Sequence, residues 1–272
     1  MKKLLFTFVA VMAFGFVSCD NKNESIVQDE VSKIEAFENL FLDIKALNSI
    51  FQFDNESDSN SLRKRPWWQN LLLVAGADAF GGLWGHVGGA ILLSSCALYE
   101  IDKNGYTVWN DDPYWSDVPL YEFVDSDVGA LHNRLIGEML FENPTLLDGS
   151  KSIDEIISII NAKLNEHNIS STVEELSNMY NDRAAIIIQK IVTSGNLANS
   201  MDEAILLYPE LTNELQTFKV FLSGAENIQV DATMVRYTDN VLELVRESEI
   251  PTLSKEKVNS ALSVYANSFI LW

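Results

Sequence analysis

Residues 71–99 read LLLVAGADAFGGLWGHVGGAILLSSCALY, an apolar stretch holding Gly76, Gly81, Gly82, Gly85, Gly88 and Gly89, nearly half of the 13 glycines in the chain. This segment limits the possible folds more than any other. In a helix facing water each glycine costs about 0.5–1 kcal/mol relative to alanine, so close packing or lipid must compensate. Ala77, Gly81, Gly85 and Gly89 recur every four residues, which on a helix makes a smooth stripe along which another backbone can approach. Three readings are open. One is a buried helix or helical hairpin with tight crossings. Another is a membrane-inserting or pore-forming segment, anchored at the interface by Trp67, Trp68 and the basic residues Arg63, Lys64 and Arg65. The last is a flexible glycine-rich loop. Asp78 and His86 would each be costly against lipid. On one helix they lie about 12 Å apart, too far to touch; Asp78 then caps a helix that begins after it, and His86 is a satisfied core histidine.

The rest of the chain is patterned for helices. Val27, Val31, Ile34, Phe37, Phe41, Ile44, Leu47 and Phe51 recur at steps of three and four, one face of a helix starting at Ile26. Polar residues 54–61 predict a loop. Residues 101–119, with Asn104, Gly105, Asn110, Asp111, Asp112 and Pro113, predict turns and one short strand over 106–109. From residue 127 onward the pattern is helical. Ser-x-x-Glu boxes at Ser152/Glu155, Ser171/Glu174 and Ser200/Glu203 mark three helix starts, because each serine can accept a first-turn amide and each glutamate can reach back. Ile153, Ile156, Ile157, Ile160 and Leu164 line one helix. Val173, Leu176, Met179, Tyr180, Ile187 and Ile191 line the next, which Gly195 and Asn196 end. A helix over 201–223 ends at Gly224 and is kinked or split by Pro209. Helices over 231–247 and 254–271 follow, separated by Pro251. The triplet Ile186, Ile187, Ile188 is apolar on more than one side and places its helix at the centre. The expected fold is all-α, an irregular bundle of about six to eight helices with a loop-rich middle. Residues 26–272 form one domain, made of an N-terminal helix with the glycine-rich segment (26–100), a connector (101–125) and a C-terminal bundle (126–272).

The N-terminus carries an address. Lys2 and Lys3 precede an apolar run at residues 4–17, which suits a signal peptide and falls short of the ~20 residues of a spanning helix. Residues 1–18 are therefore expected to be cleaved. Phe16-Val17-Ser18-Cys19 resembles the lipobox of bacterial lipoproteins, with Phe16 in place of the usual leucine. The resemblance implies that Cys19 becomes the diacylated and N-acylated first residue, on a tether of residues 19–25 that holds the protein to the cell envelope. Asp20 leaves the choice of membrane and leaflet open. The formal net charge is −20 and becomes more negative once Lys2 and Lys3 are removed. Such a chain repels phosphate backbones, so no nucleic-acid partner is expected. With Cys19 lipidated, Cys96 has no second cysteine to pair with.

Familiar catalytic signatures are missing. There is no H-E-x-x-H, C-x-x-C, G-x-S-x-G, phosphate-binding G-x-x-x-x-G-K-[ST] or G-x-G-x-x-G after a strand. Asp102-x-Asn104-Gly105 has the flavour of a calcium loop, but its glycine comes two positions early and the closing glutamate is missing, so it reads as a turn. No metal and no cofactor is expected. One polar constellation remains: Asp125, Asp127, Gly129, His132, Asn133 and Glu138. If Asp127 caps this helix, Leu131, Leu135 and Met139 form its buried face. Asp125 or Asp127 can then hold His132, and His132 with Asn133 can face a cleft as a hydrolase-like pair. The competing reading is an N-capped helix whose histidine packs against a neighbour and whose Gly129 and Gly137 permit a close crossing.

The lipobox, the G-A-D-A-x-G-G segment at 76–82 and the V-G-x-x-H-N helix at 128–133 together resemble a group of bacterial lipoproteins of unknown function. The resemblance covers half the chain and carries no activity with it; His132 and Asn133 match the group's most distinctive positions. The expectation is a lipid-anchored, acidic, all-helical envelope protein that acts as a non-enzymatic binding or self-associating module, its partner another protein or its own copies. The alternatives are a membrane-inserting protein using residues 71–99 and an enzyme using His132 with Asp125 or Asp127.

Overall fold

The computed structural model describes residues 21–57, 68–84, 87–103, 120–146, 150–181, 185–194, 197–226, 228 and 230–271. Cys19, Gly85, His86, the expected strand at 106–109 and the Gly195-Asn196 stop lie outside them. The described residues make an all-α bundle of eleven helices without strands. In chain order these are α1 (Asn21–Ser57), α2 (Trp68–Leu83), α3 (Val87–Lys103), α4 (Val128–Glu142), α5 (Ile153–Glu166), α6 (Val173–Met179), α7 (Ala185–Ser194), α8 (Leu197–Leu207), α9 (Thr212–Ala225), α10 (Asp231–Glu247) and α11 (Thr252–Leu271). A 3₁₀ turn over Pro209–Leu211 joins α8 to α9, so Pro209 splits the helix around it. The count exceeds the expected six to eight for two reasons. The helix expected over 173–191 divides into α6 and α7, and the one over 201–223 into α8 and α9.

The last helix, α11, is the centre. Every residue from 258 to 269 is buried, polar and apolar alike, and α11 packs against α2, α4, α10 and α9. The isoleucine triplet does not mark the middle of the bundle. Ile187 and Ile188 are buried but Ile186 is 42% exposed, so α7 flanks α3 and α8 with one face in solvent.

The glycine-rich segment folds as a hairpin of α2 and α3 within this core. Residues 74–83 and 87–98 are all buried. The expected stripe does not run along one helix. It bends back on itself, so that a Cβ on Gly81 would collide with the carbonyl of Gly89, and one on Gly89 would meet the carbonyl oxygen of Gly81 at 3.0 Å. A Cβ on Gly82 would likewise stand 3.0 Å from the backbone of Ala261 in α11. Missing side chains thus let three helix backbones converge, and the stripe is consumed inside the molecule. Asp78 caps nothing: it lies in the interior of α2, fully buried. Among the described residues no helix is long and apolar enough to cross a membrane.

Helix α1 is longer than its apolar pattern suggested. It takes in residues 21–25, expected as a tether, and 54–57, expected as loop. Its 37 residues extend about 55 Å at 1.5 Å each. Phe37, Leu40, Ile44 and Phe51 are buried, whereas Val31 (48%) and Ile34 (53%) are exposed. From Ala36 onward the helix docks onto α9 and α10. Of the three serine boxes, Ser152/Glu155 is formed in full. The second lies one residue later, at Thr172/Glu175, because the Ser171 hydroxyl donates to Asn161 Oδ1 (2.9 Å) instead. The third does not form, since Ser200 is buried inside α8. Gly224 does not end its helix either; it lies within α9, where a Cβ would stand 2.5 Å from both Asn48 Oδ1 and the Tyr237 hydroxyl.

Candidate functional site

Helix α4 starts at Val128 with Asp127 in the N-cap position, though the Asp127 side chain makes no capping bond. The start of the helix is fixed by α11 instead. The Gly129 amide donates to Ser263 Oγ (2.8 Å), and the Ser263 carbonyl occupies the space a Gly129 side chain would need. One turn on, Asn133 Nδ2 donates to the Asn267 carbonyl (2.8 Å). The Asn267 side chain reads the backbone of Tyr121 in both directions: Oδ1 accepts from the Tyr121 amide (2.9 Å) and Nδ2 donates to the Tyr121 carbonyl (3.0 Å). Nδ2 also donates to the Ser263 carbonyl within α11 (3.0 Å). A polar seam of neutral groups therefore ties the chain before α4, α4 itself and α11 together.

His132 lies at the inner end of this seam. Its Nδ1 is 3.1 Å from Asn133 Oδ1. Since the Asn133 amide nitrogen is already donating to Asn267, Oδ1 is the acceptor and His132 Nδ1 carries the proton. Its Nε2 points toward Asp78 Oδ2 at 3.9 Å, too long for a hydrogen bond. Burial pushes the imidazole down to about 4, opposed in part by the Asn133 bond. A neutral ring in a sealed site is the result. Leu135 and Met139 are fully buried beside it, whereas Leu131 is only partly so.

Neither sequence-expected aspartate reaches His132. Asp125 accepts from Arg246 Nη1 (3.0 Å) at the surface, and Asp127 serves α4 through its backbone carbonyl, which accepts from the Leu131 amide (2.9 Å). The carboxylate that does face the ring is Asp78. His132 and Asn133 do not border a cleft; both are wholly buried. Glu138 belongs elsewhere, accepting from His167 Nε2 (2.7 Å) beside the Lys163 ammonium. That ammonium donates to Glu142 and Glu166, each at 2.8 Å. Among the described residues no group of three His, Cys, Asp or Glu side chains could hold a metal ion. Cys96 is buried, and burial with the nearby Glu100 charge pushes its thiol far above its ordinary value. Of the four stripe positions, Ala77, Gly81 and Gly89 line the α2–α3 hairpin interior.

A concave surface lies elsewhere, between α1 and α10. An open groove of about 600 Å³ is lined by Asp43, Ala46, Leu47, Ile50 and Phe51 from α1 and by Arg236, Asn240, Glu243, Leu244 and Glu247 from α10. It is rigidly founded. Asn48, the buried residue behind this face, donates to the Val220 carbonyl (2.9 Å) and Ser223 Oγ (3.0 Å) of α9. The Tyr237 hydroxyl shares its proton between Asn48 Oδ1 (2.7 Å) and the Phe221 carbonyl (2.8 Å). The Phe51 ring packs edge-on against Tyr237, with centroids 5.1 Å apart, and carries the Arg236 guanidinium 5.3 Å above it. Ile50, on the groove wall, is 59% exposed.

Sequence reasoning missed both Asn267 and the groove. The first had a signal: Asn259, Ser263 and Asn267 recur every four residues along an otherwise apolar helix, the mark of a polar line inside a core. The groove had none, because it exists only where two helices distant in sequence meet. Comparison with protein families, with curated proteins and with solved structures gives no match to this chain.

Proposed function

We propose that this chain is a lipid-anchored protein of the bacterial cell envelope whose helical body is a non-enzymatic binding module, engaging a protein partner through the groove between α1 and α10. The groove carries this reading: it is open, partly apolar, preorganised by the Asn48–Tyr237 contact, and built on the helix that starts at Asn21, two residues after Cys19. Its size lies within the range of specific ligand sites. The likeness of Phe16-Val17-Ser18-Cys19 to a lipobox supports the anchor. The sealed state of Asp78, His132 and Asn133 argues for a structural role there, since a reacting group must lie within hydrogen-bond reach of its substrate.

The test is site-specific photo-crosslinking in the intact envelope. A photo-reactive residue at Ile50 forms one discrete adduct with another protein, and the same residue at Leu206, which is 82% exposed on α8, does not. Adducts only with a second copy of the chain turn the reading toward self-association, and the same adducts from both positions overturn it. Replacement of Cys19 by alanine releases the protein from the membrane fraction; retention there contradicts the lipid anchor.

A further inference from the structure

We infer that the partner segment in this groove is a cationic amphipathic helix, its apolar side chains lying on Leu47, Ile50 and Leu244 and its lysine or arginine side chains facing Asp43 and Glu247. This rests on the groove reading above and specifies the chemistry of its occupant.

The argument begins with charge. The groove presents three carboxylates, Asp43, Glu243 and Glu247, against the single guanidinium of Arg236. That guanidinium is already placed over the Phe51 ring, and Glu243 accepts from Arg246 Nη2 at 3.2 Å. Asp43 and Glu247 carry no ion pair among the described residues, so each stands ready for an incoming cation. A second copy of this chain, with its own net charge of −20, would bring repulsion to that rim, and so would an anionic lipid surface.

The shape argues for a helix. The groove follows α10 from Arg236 to Glu247, about 16 Å or three helical turns. Its apolar floor is lined on one wall by Leu47 and Ile50, three residues apart on α1, and on the other by Leu244. A helix laid in such a groove uses side chains at i, i+3, i+4 and i+7 as anchors. Its flanking cations then meet the carboxylates of the rim.

The probe is a fluorescent amphipathic helical peptide of leucine and lysine, titrated onto the full chain held in zwitterionic nanodiscs, with empty nanodiscs as the blank. Two comparison peptides are the same composition scrambled, which removes the apolar face, and a leucine–glutamate version. We expect the leucine–lysine peptide to bind at least tenfold more tightly than either. Asp43→Lys with Glu247→Lys weakens it at least tenfold, whereas Glu122→Lys with Glu256→Lys, the same charge change at other exposed positions, weakens it less than threefold. Ile50→Asp also abolishes it. All of these side chains are exposed, so the variants keep the fold, which a circular-dichroism melt verifies. Equal loss in the two lysine pairs would mean unspecific attraction and overturn the inference. So would binding of the glutamate peptide. Sensitivity to Ile50→Asp without sensitivity to the Asp43/Glu247 pair removes the cationic occupant and leaves the groove reading in place; indifference to Ile50→Asp removes both.

Discussion

His132 of α4 and Asp78 of α2 meet at 3.9 Å with neither side chain reaching solvent. Their sequence positions gave no hint of the pairing. The contact fixes the character of the interior: burial holds the imidazole neutral, and the proton on Nδ1 is directed to Asn133 rather than to the carboxylate.

Stability should therefore fall with acid in a way that depends on His132. Its folded value of about 4 lies below the ordinary 6.5. The stabilisation is whole above the unfolded value and is lost as pH falls toward the folded one, because the unfolded chain takes up a proton that the folded chain refuses. The loss approaches about 3 kcal/mol at the lower end. Denaturant titrations between about pH 7.5 and about pH 4.5 on the native chain and on His132→Gln measure it. The native chain loses more stability over that interval, and parallel curves would count against a buried neutral histidine.

The α2–α3 hairpin predicts a sharp difference between two glycines. Gly81→Ala drives a methyl group into the backbone of Gly89 and Ala90, which cannot move aside, and costs about 2 kcal/mol or more. Gly88→Ala meets two side-chain methyls, Leu164 Cδ1 at 3.2 Å and Leu176 Cδ2 at 3.9 Å, both free to turn, and remains within about 1 kcal/mol of the native chain. Thermal melts of the two variants decide the matter. Equal melting points would show that the hairpin is not closely packed.

Asn267 ties α11 to the segment at Tyr121 through two bonds, at 2.9 and 3.0 Å. Asn267→Ala leaves buried backbone groups without partners and costs about 2–4 kcal/mol. The same substitution speeds hydrogen exchange at the Tyr121 amide, which loses its acceptor. Unchanged protection of that amide would show that the side chain is not its partner.

Lys163, only 5% exposed, is surrounded by the carboxylates of Glu138, Glu142 and Glu166. Lys163→Met leaves them facing one another, and we expect the melting midpoint to drop by about 2–4 °C at neutral pH. The bond and charge of Lys163 hold the Glu166 carboxyl below its ordinary value. Such a depressed group stabilises above its unfolded value and loses that contribution in acid. The gap between native and variant midpoints therefore narrows as pH falls below about 4.5. A gap independent of pH would point to lost packing alone.

What could be read in advance follows the range of the interaction. Ser152 and Glu155 are three residues apart and formed their box; Pro209 broke its helix through its own ring; α10 occupies residues 231–247 as its apolar period predicts. Where two local solutions were nearly equal, a neighbour chose. Asn161 drew off Ser171 and shifted a cap by one residue, and burial inside α8 claimed Ser200. In helix α1, Val31 and Ile34 keep the apolar period of a core face and yet face solvent. At the candidate site, sequence named His132 and Asn133 but assigned them the wrong carboxylates.

By itself the sequence determined the all-α class, the lengths of its strongest helices and the absence of familiar catalytic motifs, because period, caps and breakers act within one or two turns of the chain. Tertiary structure alone decided that Gly81 closes on Gly89, that Asp78 rather than Asp125 or Asp127 faces His132, that α11 is the centre, and that α1 and α10 leave a groove between them. Each of these brings together groups from separate helices. Which helices meet depends on how all their faces can be buried at once, and no local pattern contains that sum.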